Sequence, residues 1–406
     1  MGVHLDDEVL LLGSCSKSVT RLDPATRDAK YYFDDGDCVF RVEDTLFRVH
    51  RFLLQRDGSA FADMFSLPRG ASASHTLEGS DDANPIRLFG DSAENFRALL
   101  SVLYALPHEL SSLEGDAENI LHLLTIASMT HKYHFSSISN WAISSAHRVL
   151  KTAYEEPDKN SSVVSYPVLS RTLEVALRCA HIDLTLLTQV EWVTRILARV
   201  LHPRRALAIA DAHGLQLLAG AAYYVQLLEM GDGFQDPRDI AHDPNASGDD
   251  SPDSDTSAAQ DDGDLPPLTE TQRRRLLSGH WSLVRLWEHI RARAPTFQRP
   301  DGCTYHARGC LSTWATVWAE VARSEDTLKL APADVLSRLK AMQTQLAGHT
   351  DLQQALTPAC RTRALSAVKE LVKETMEGLA DHFVDFAAAT RSPARDTVGD
   401  TVVTDE

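Results

Sequence analysis

The apolar positions along residues 36–65 change period part-way. Val39, Phe40 and Val42 form one short apolar run, Glu43-Asp44 a polar break, and Leu46, Phe47 and Val49 a second run. Two short runs around a tight polar pair predict a β-hairpin. Beyond His50, the residues Phe52, Leu53, Phe61, Met64 and Phe65 recur at helical spacing, with Asp57-Gly58-Ser59 as a stop and restart. A third short strand is expected at 85–89, after a polar insertion at 67–84 that reads as flexible. Asp91 or Ser92 then caps a helix whose apolar face is Phe96, Leu99, Leu100, Leu103 and Tyr104. Residues 107–116 read as a loop, with helices at about 117–131 and 135–151.

From 166 to 230 the pattern is wholly helical. Leu173, Ala176, Leu177 and Ala180 share one face, and Leu187, Val190, Val193 and Leu197 another; His213-Gly214 separates two further helices. Helical spacing resumes at about 269–293, 309–323, 332–347 and 360–389. The expected organisation is a loose N-terminus at 1–30, an α+β domain at 31–153 with a small sheet and helices, and an all-α extension at 166–230. A linker at 231–264, an all-α C-terminal unit at 268–390 and a loose tail at 391–406 complete it. The chain is expected to be mostly helical overall.

Composition sharpens this division. The 406 residues carry a formal net charge of −17, and residues 231–264 alone hold eleven aspartates against one arginine. That segment has too few apolar groups to offset chain entropy, so it reads as a disordered acidic tether. Ser251 and Ser254 lie among its aspartates, a setting that suits phosphorylation by an acid-directed kinase. The acidic balance argues against a nucleic-acid-binding face. No apolar run approaches the length of a membrane helix. The start of the chain lacks the basic and apolar regions of a signal peptide, and Asp6 stands where N-myristoylation needs Ser or Thr. Six cysteines in such a chain read as free thiols of a reducing compartment, hence cytoplasm, nucleus or both.

Gly36-Asp37 before the first strand, Phe47-Arg-Val-His50 entering the first helix and Phe61-x-x-Met64-Phe65 in the second resemble the BTB/POZ domain. The resemblance marks Asp37, His50, Phe61, Met64 and Phe65 as the structural motif. It implies a non-enzymatic protein-protein interaction module with two surfaces, one for homodimerisation and one for a cullin or another partner. Family dimers often exchange an N-terminal strand, for which residues 9–12 are the candidate here; the strand that many members carry after Tyr104 is not evident. Residues 166–230 stand where relatives hold the helical BACK region. Arg41-Val-Glu-Asp-Thr-Leu-Phe-Arg-Val-His50, Leu276-Leu-Ser-Gly-His-Trp281 and Ala333-Asp-Val-Leu336 resemble phrases of a fungal, basidiomycete-like group of BTB proteins of unassigned role. The family implies an adaptor or scaffold, in its favoured form a substrate adaptor of a cullin-RING ubiquitin ligase. The alternative, a BTB-type nuclear transcriptional regulator, lacks a DNA-binding finger. Phe96, Leu99, Leu100 and Leu103 are the expected partner-binding face, on the premise that part of it stays exposed.

Little else carries chemistry. There is no Gly-x-Ser-x-Gly elbow, no complete phosphate-binding loop and no His-Glu-x-x-His, so no catalytic residue is assigned and the chain reads as no enzyme. Cys303, His306 and Cys310 have the spacing Cys-x2-His-x3-Cys, and thiolate and imidazole are zinc ligands. A zinc ion would need a fourth ligand from His280, His349 or Cys360. The reading preferred on sequence is one buried thiol, one exposed histidine and one helix-starting thiol, with no cofactor. Trp281, Trp287, Trp314 and Trp318 at helical spacing read as core, Arg273-Arg274-Arg275 as a solvated basic run, and His131 and His134 as an unpartnered pair at a helix break. His50 reads as a brace of the hairpin.

Overall fold

The structure is a computed structural model, and it describes residues 25–67, 78–114, 117–155, 165–231 and 265–385. The expectations for residues 1–24, for most of the 67–84 insertion, for the 232–264 linker with Ser251 and Ser254, and for the tail beyond 390 lie outside the described residues. The chain divides into two compact units between Leu184 and Thr185.

The first unit is built on the predicted hairpin. β2 (Cys38–Val42) and β3 (Thr45–Val49) pair antiparallel with Phe40 opposite Phe47 and Val42 opposite Thr45. The turn costs strain: Glu43 has φ +52°. Its carboxylate accepts the Ala93 backbone N–H at 2.9 Å, so the strained residue ties the turn to the start of a helix. β4 (Ile86–Leu88), expected at 85–89, lies parallel to β2. β1 (Thr26–Tyr32) is parallel to β3, and the sheet order is β1-β3-β2-β4. This strand corrects the loose N-terminus of 1–30. Its sequence, Thr-Arg-Asp-Ala-Lys-Tyr-Tyr, has no apolar alternation, and its pairing shifts register between Arg27 and Tyr32. What holds it is polar. Buried Asp28 accepts the N–H groups of Lys30 and Tyr31 and pairs with Arg97 at 2.6 Å.

Helices complete the described part of this unit: α1 (Arg51–Leu54), α2 (Ala60–Ser66), α3 (Ala93–Leu103), α4 (Pro107–Leu113), α5 (Ile120–Lys132), α6 (Ser136–Glu155) and α7 (Tyr166–Arg178). α4 replaces the loop expected at 107–116. Pro107 opens it without losing a needed donor, and the Leu106 N–H donates to Glu109. The core joins Phe40, Val42, Phe47 and Val49 to Phe61, Phe96, Leu99 and Leu100. Phe47 belongs to it and Leu46 does not, although Leu46 is buried elsewhere. Alternation along a strand puts Phe47 and Val49 on one face and Leu46 on the other.

The second unit is helical. α8 (Ile182–Leu197) carries the division. α9 (Pro203–His213) and α10 (Gln216–Met230) form a hairpin whose turn is Gly214 at φ +64°. There follow α11 (Glu270–Ala292), a π-helical turn (His306–Cys310), α12 (Leu311–Val321), α13 (Glu325–Leu328), α14 (Val335–Gly348), α15 (Thr350–Ala355) and α16 (Pro358–Glu377), closed by a 3-10 turn (Leu379–His382). The stretch 166–230 is therefore not one extension. α7 packs on α5 in the first unit, whereas α10 packs on α11 in the second. Helical periodicity marks an apolar face but not the neighbour that covers it. The tryptophans divide likewise: Trp287, Trp314 and Trp318 are buried, but Trp281 is exposed under Arg285. The buried line of α11 runs through Leu276, Gly279, Leu283, Trp287 and Ile290, and Trp281 is off it.

Candidate functional site

In the first unit, polar side chains join the hairpin to its helices. Asp37 is exposed, and its carboxylate accepts the Arg51 N–H at 2.7 Å, capping α1 from another segment. His50 is half-buried between β3 and α1. Its N–H donates to the Tyr104 hydroxyl at 3.0 Å, its Nδ1 is 2.9 Å from the same oxygen, and its Nε2 is 3.4 Å from Asp35. His50 thus ties the end of the hairpin to the end of α3. Burial pushes the Tyr104 hydroxyl above its ordinary value, so it keeps the proton. Asp57, at φ +61°, accepts both the N–H and the hydroxyl of Ser137 and so caps α6. Phe61 is buried edge-on to Phe40 at 5.6 Å and stacked on Tyr133 at 4.5 Å; Met64 and Phe65 pack partly buried beside it.

Phe96, Leu99 and Leu100 are wholly buried, and Leu103 is partly buried against the same core. This corrects the expected partner-binding face. Sheet and α5 cover the apolar side of α3, so an amphipathic stripe here is core and not an open surface. The exposed large apolar groups among the described residues of this unit include Phe52 at 60 %, Leu106 at 58 % and Phe89 at 84 %, with Leu67, Leu121 and Ile182 also exposed.

In the second unit, the structure gathers Cys303, His306, Cys310 and Cys360, all buried, with their ligand atoms no more than 4.8 Å apart. Gly302 at φ +80° turns the chain so that Cys303 points inward. The π turn carries His306 and Cys310 four residues apart, one at each end of its wide loop. Cys360 stands in the first turn of α16, behind the Thr357 N-cap. The sulfurs of Cys303 and Cys360 are 3.6 Å apart, those of Cys303 and Cys310 3.9 Å, and Cys360 Sγ lies 3.4 Å from His306 Nδ1. Phe297 meets the His306 ring edge-on at 5.2 Å and also contacts Trp314. Burial pushes the Cys360 thiol up to about 11. Burial acts on Cys303 too, but the Tyr305 N–H and neighbouring thiols outweigh it and lower its value. His306 is buried, which corrects the exposed histidine expected there. Of the three candidates for a fourth ligand it is Cys360 that arrives, and neither His280 nor His349 joins the group.

Residues 30–141 match the family model of the BTB/POZ domain. The first unit carries a BTB domain. No curated protein and no solved structure matches the chain. The matched segment takes in the whole four-stranded sheet apart from the start of β1, together with α1 to α5 and the first part of α6. BTB domains are protein-protein interaction modules that also mediate dimerisation, and they are generally not enzymes. Among the described residues no helix is long and apolar enough to cross a membrane. His131 and His134 are both exposed and lie outside the metal-type cluster. Arg275 is not simply solvated: it pairs with Asp211 at 2.7 Å and reaches the Tyr223 hydroxyl. Sequence reasoning missed Tyr104 as the partner of His50, Asp57 as the cap of α6 and Glu43 as the anchor of α3. Each acts across 50 to 80 residues, and pairings at such separation leave no local spacing to read.

Proposed function

We propose that this protein is a non-enzymatic adaptor whose BTB domain docks on a cullin of a RING-type ubiquitin ligase while the helical second unit holds the client. The observation that carries the reading is the BTB domain at residues 30–141, an interaction module in a chain with a separate, larger helical unit. Because Phe96, Leu99 and Leu100 are buried, we assign the docking surface to groups that water already reaches. Phe52 on α1 and Phe89 before α3 are the apolar candidates, while Leu103 is the only member of the original set with any exposure. Self-association through the same domain is part of this reading, and light scattering on the full chain at about tens of micromolar should give twice the chain mass.

Copurification of the full chain with its cellular partners, read by mass spectrometry, tests the role. Cullin and RING peptides are the expected result. Recovery of chromatin factors without a cullin would favour the nuclear regulator, and recovery of neither would remove the adaptor reading.

A further inference from the structure

The Cys303, His306, Cys310 and Cys360 cluster has no part in the BTB reading and stands independently of it. A tetrahedral zinc ion has Zn–S bonds of about 2.3 Å and Zn–N bonds of about 2.0–2.1 Å. Tetrahedral angles then require S···S edges of about 3.8 Å and S···N edges of about 3.6 Å. The observed S···S separations of 3.6 and 3.9 Å and S···N separation of 3.4 Å lie close to three of the six edges, and all four ligand atoms are within 4.8 Å of one another. A disulfide would bring two sulfurs to about 2.05 Å, and Cys303, Cys310 and Cys360 are all free thiols. The donor types agree with the geometry. Three thiols and one imidazole are soft to borderline ligands that suit zinc and not magnesium or calcium.

We propose that Cys303, His306 Nδ1, Cys310 and Cys360 bind one zinc ion as a closed structural site of the second unit. Four protein ligands fill the tetrahedron, so no position remains for a reactive water and the ion's work is to hold the fold. It joins the neighbouring Gly302 and π turns to the first turn of α16, which comes from far along the chain. The π turn gains a reason here, because His306 and Cys310 sit at its two ends and both face the ion. Phe297 packs edge-on against the His306 ring. Loading releases the three thiol protons and leaves three thiolates around a dication, a net charge of −1. Because ligand deprotonation is coupled to binding, acid should release the metal.

Elemental analysis of the full chain, purified without a metal-affinity tag, reads zinc, iron and copper together. About one equivalent of zinc per chain is expected, and Cys360→Ser and Cys303→Ser should lose it. Cys179→Ser, outside the cluster, should keep it. Chelation should lower the melting temperature and added zinc restore it. If the cysteine variants fail to fold, cobalt substitution of the unaltered chain decides: a tetrahedral visible spectrum with a thiolate charge-transfer band supports the site. Less than about a tenth of an equivalent of zinc in folded protein, another metal in its place, or an octahedral cobalt spectrum overturns it.

Discussion

Phe61 shows how much of the first unit rests on single side chains. It meets Phe40 from the hairpin, Tyr133 at the end of α5 and Phe135 at the entry to α6, so three elements share one ring. Phe61→Ala removes that ring and leaves a cavity between elements that cannot collapse independently. We expect a loss of about 3–5 kcal/mol, read as a lowered midpoint in denaturant titration. A midpoint within about 0.5 kcal/mol of the parent would place Phe61 outside the core. The polar residues work differently. Asp37, Glu43 and Asp57 are exposed, yet each carboxylate accepts a backbone N–H in the first turn of a distant helix. Their contribution is orientation of α1, α3 and α6 against the sheet, which fixes how the BTB domain presents Phe52 and Phe89.

Among the elements, α10 and α11 carry the least expected packing. Each holds a glycine in its interior, and both glycines face the closing turn of the second unit. A Cβ at Gly220 would lie 2.6 Å from the Ala380 backbone nitrogen, and one at Gly279 would lie 2.1 Å from Cε1 of Phe383. Phe383 is buried and stacks on Tyr223 at 5.3 Å, so its ring has little room to yield. Helix propensity alone favours Gly279→Ala by about 1 kcal/mol. Overpacking reverses the sign, and we expect a net loss of about 1–3 kcal/mol. Gly348→Ala, with nothing within 4 Å, is the control and should be neutral or stabilising. A stabilised Gly279→Ala chain would mean that Phe383 does not dock there.

What was legible in the sequence follows the same physics. The hairpin, β4, α3 and most long helices announce themselves through period and caps. β1 does not, because Asp28 and Arg97 hold it instead of an apolar alternation. α4 was hidden by a polar composition that fits a loop equally well. The partner face on α3 was misread because amphipathicity is the same signal for a covered and an uncovered helix. For the cysteine cluster, spacing supplied three candidate ligands, but the arrival of Cys360 from 50 residues beyond Cys310 needed the fold.

The whole molecule joins a BTB domain to a helical unit with its own core and its own cysteine-histidine cluster. The BTB domain is a protein-protein interaction module, and on the proposed reading the helical unit holds the client. The adaptor account therefore stands or falls on direct contact between the BTB unit and a cullin. Titration calorimetry of the purified full chain against a purified cullin reads this most directly. The account predicts saturable binding with Kd of about 1 μM or tighter, weakened at least tenfold by Phe52→Glu at unchanged melting temperature. No binding at about 50 μM cullin would contradict it.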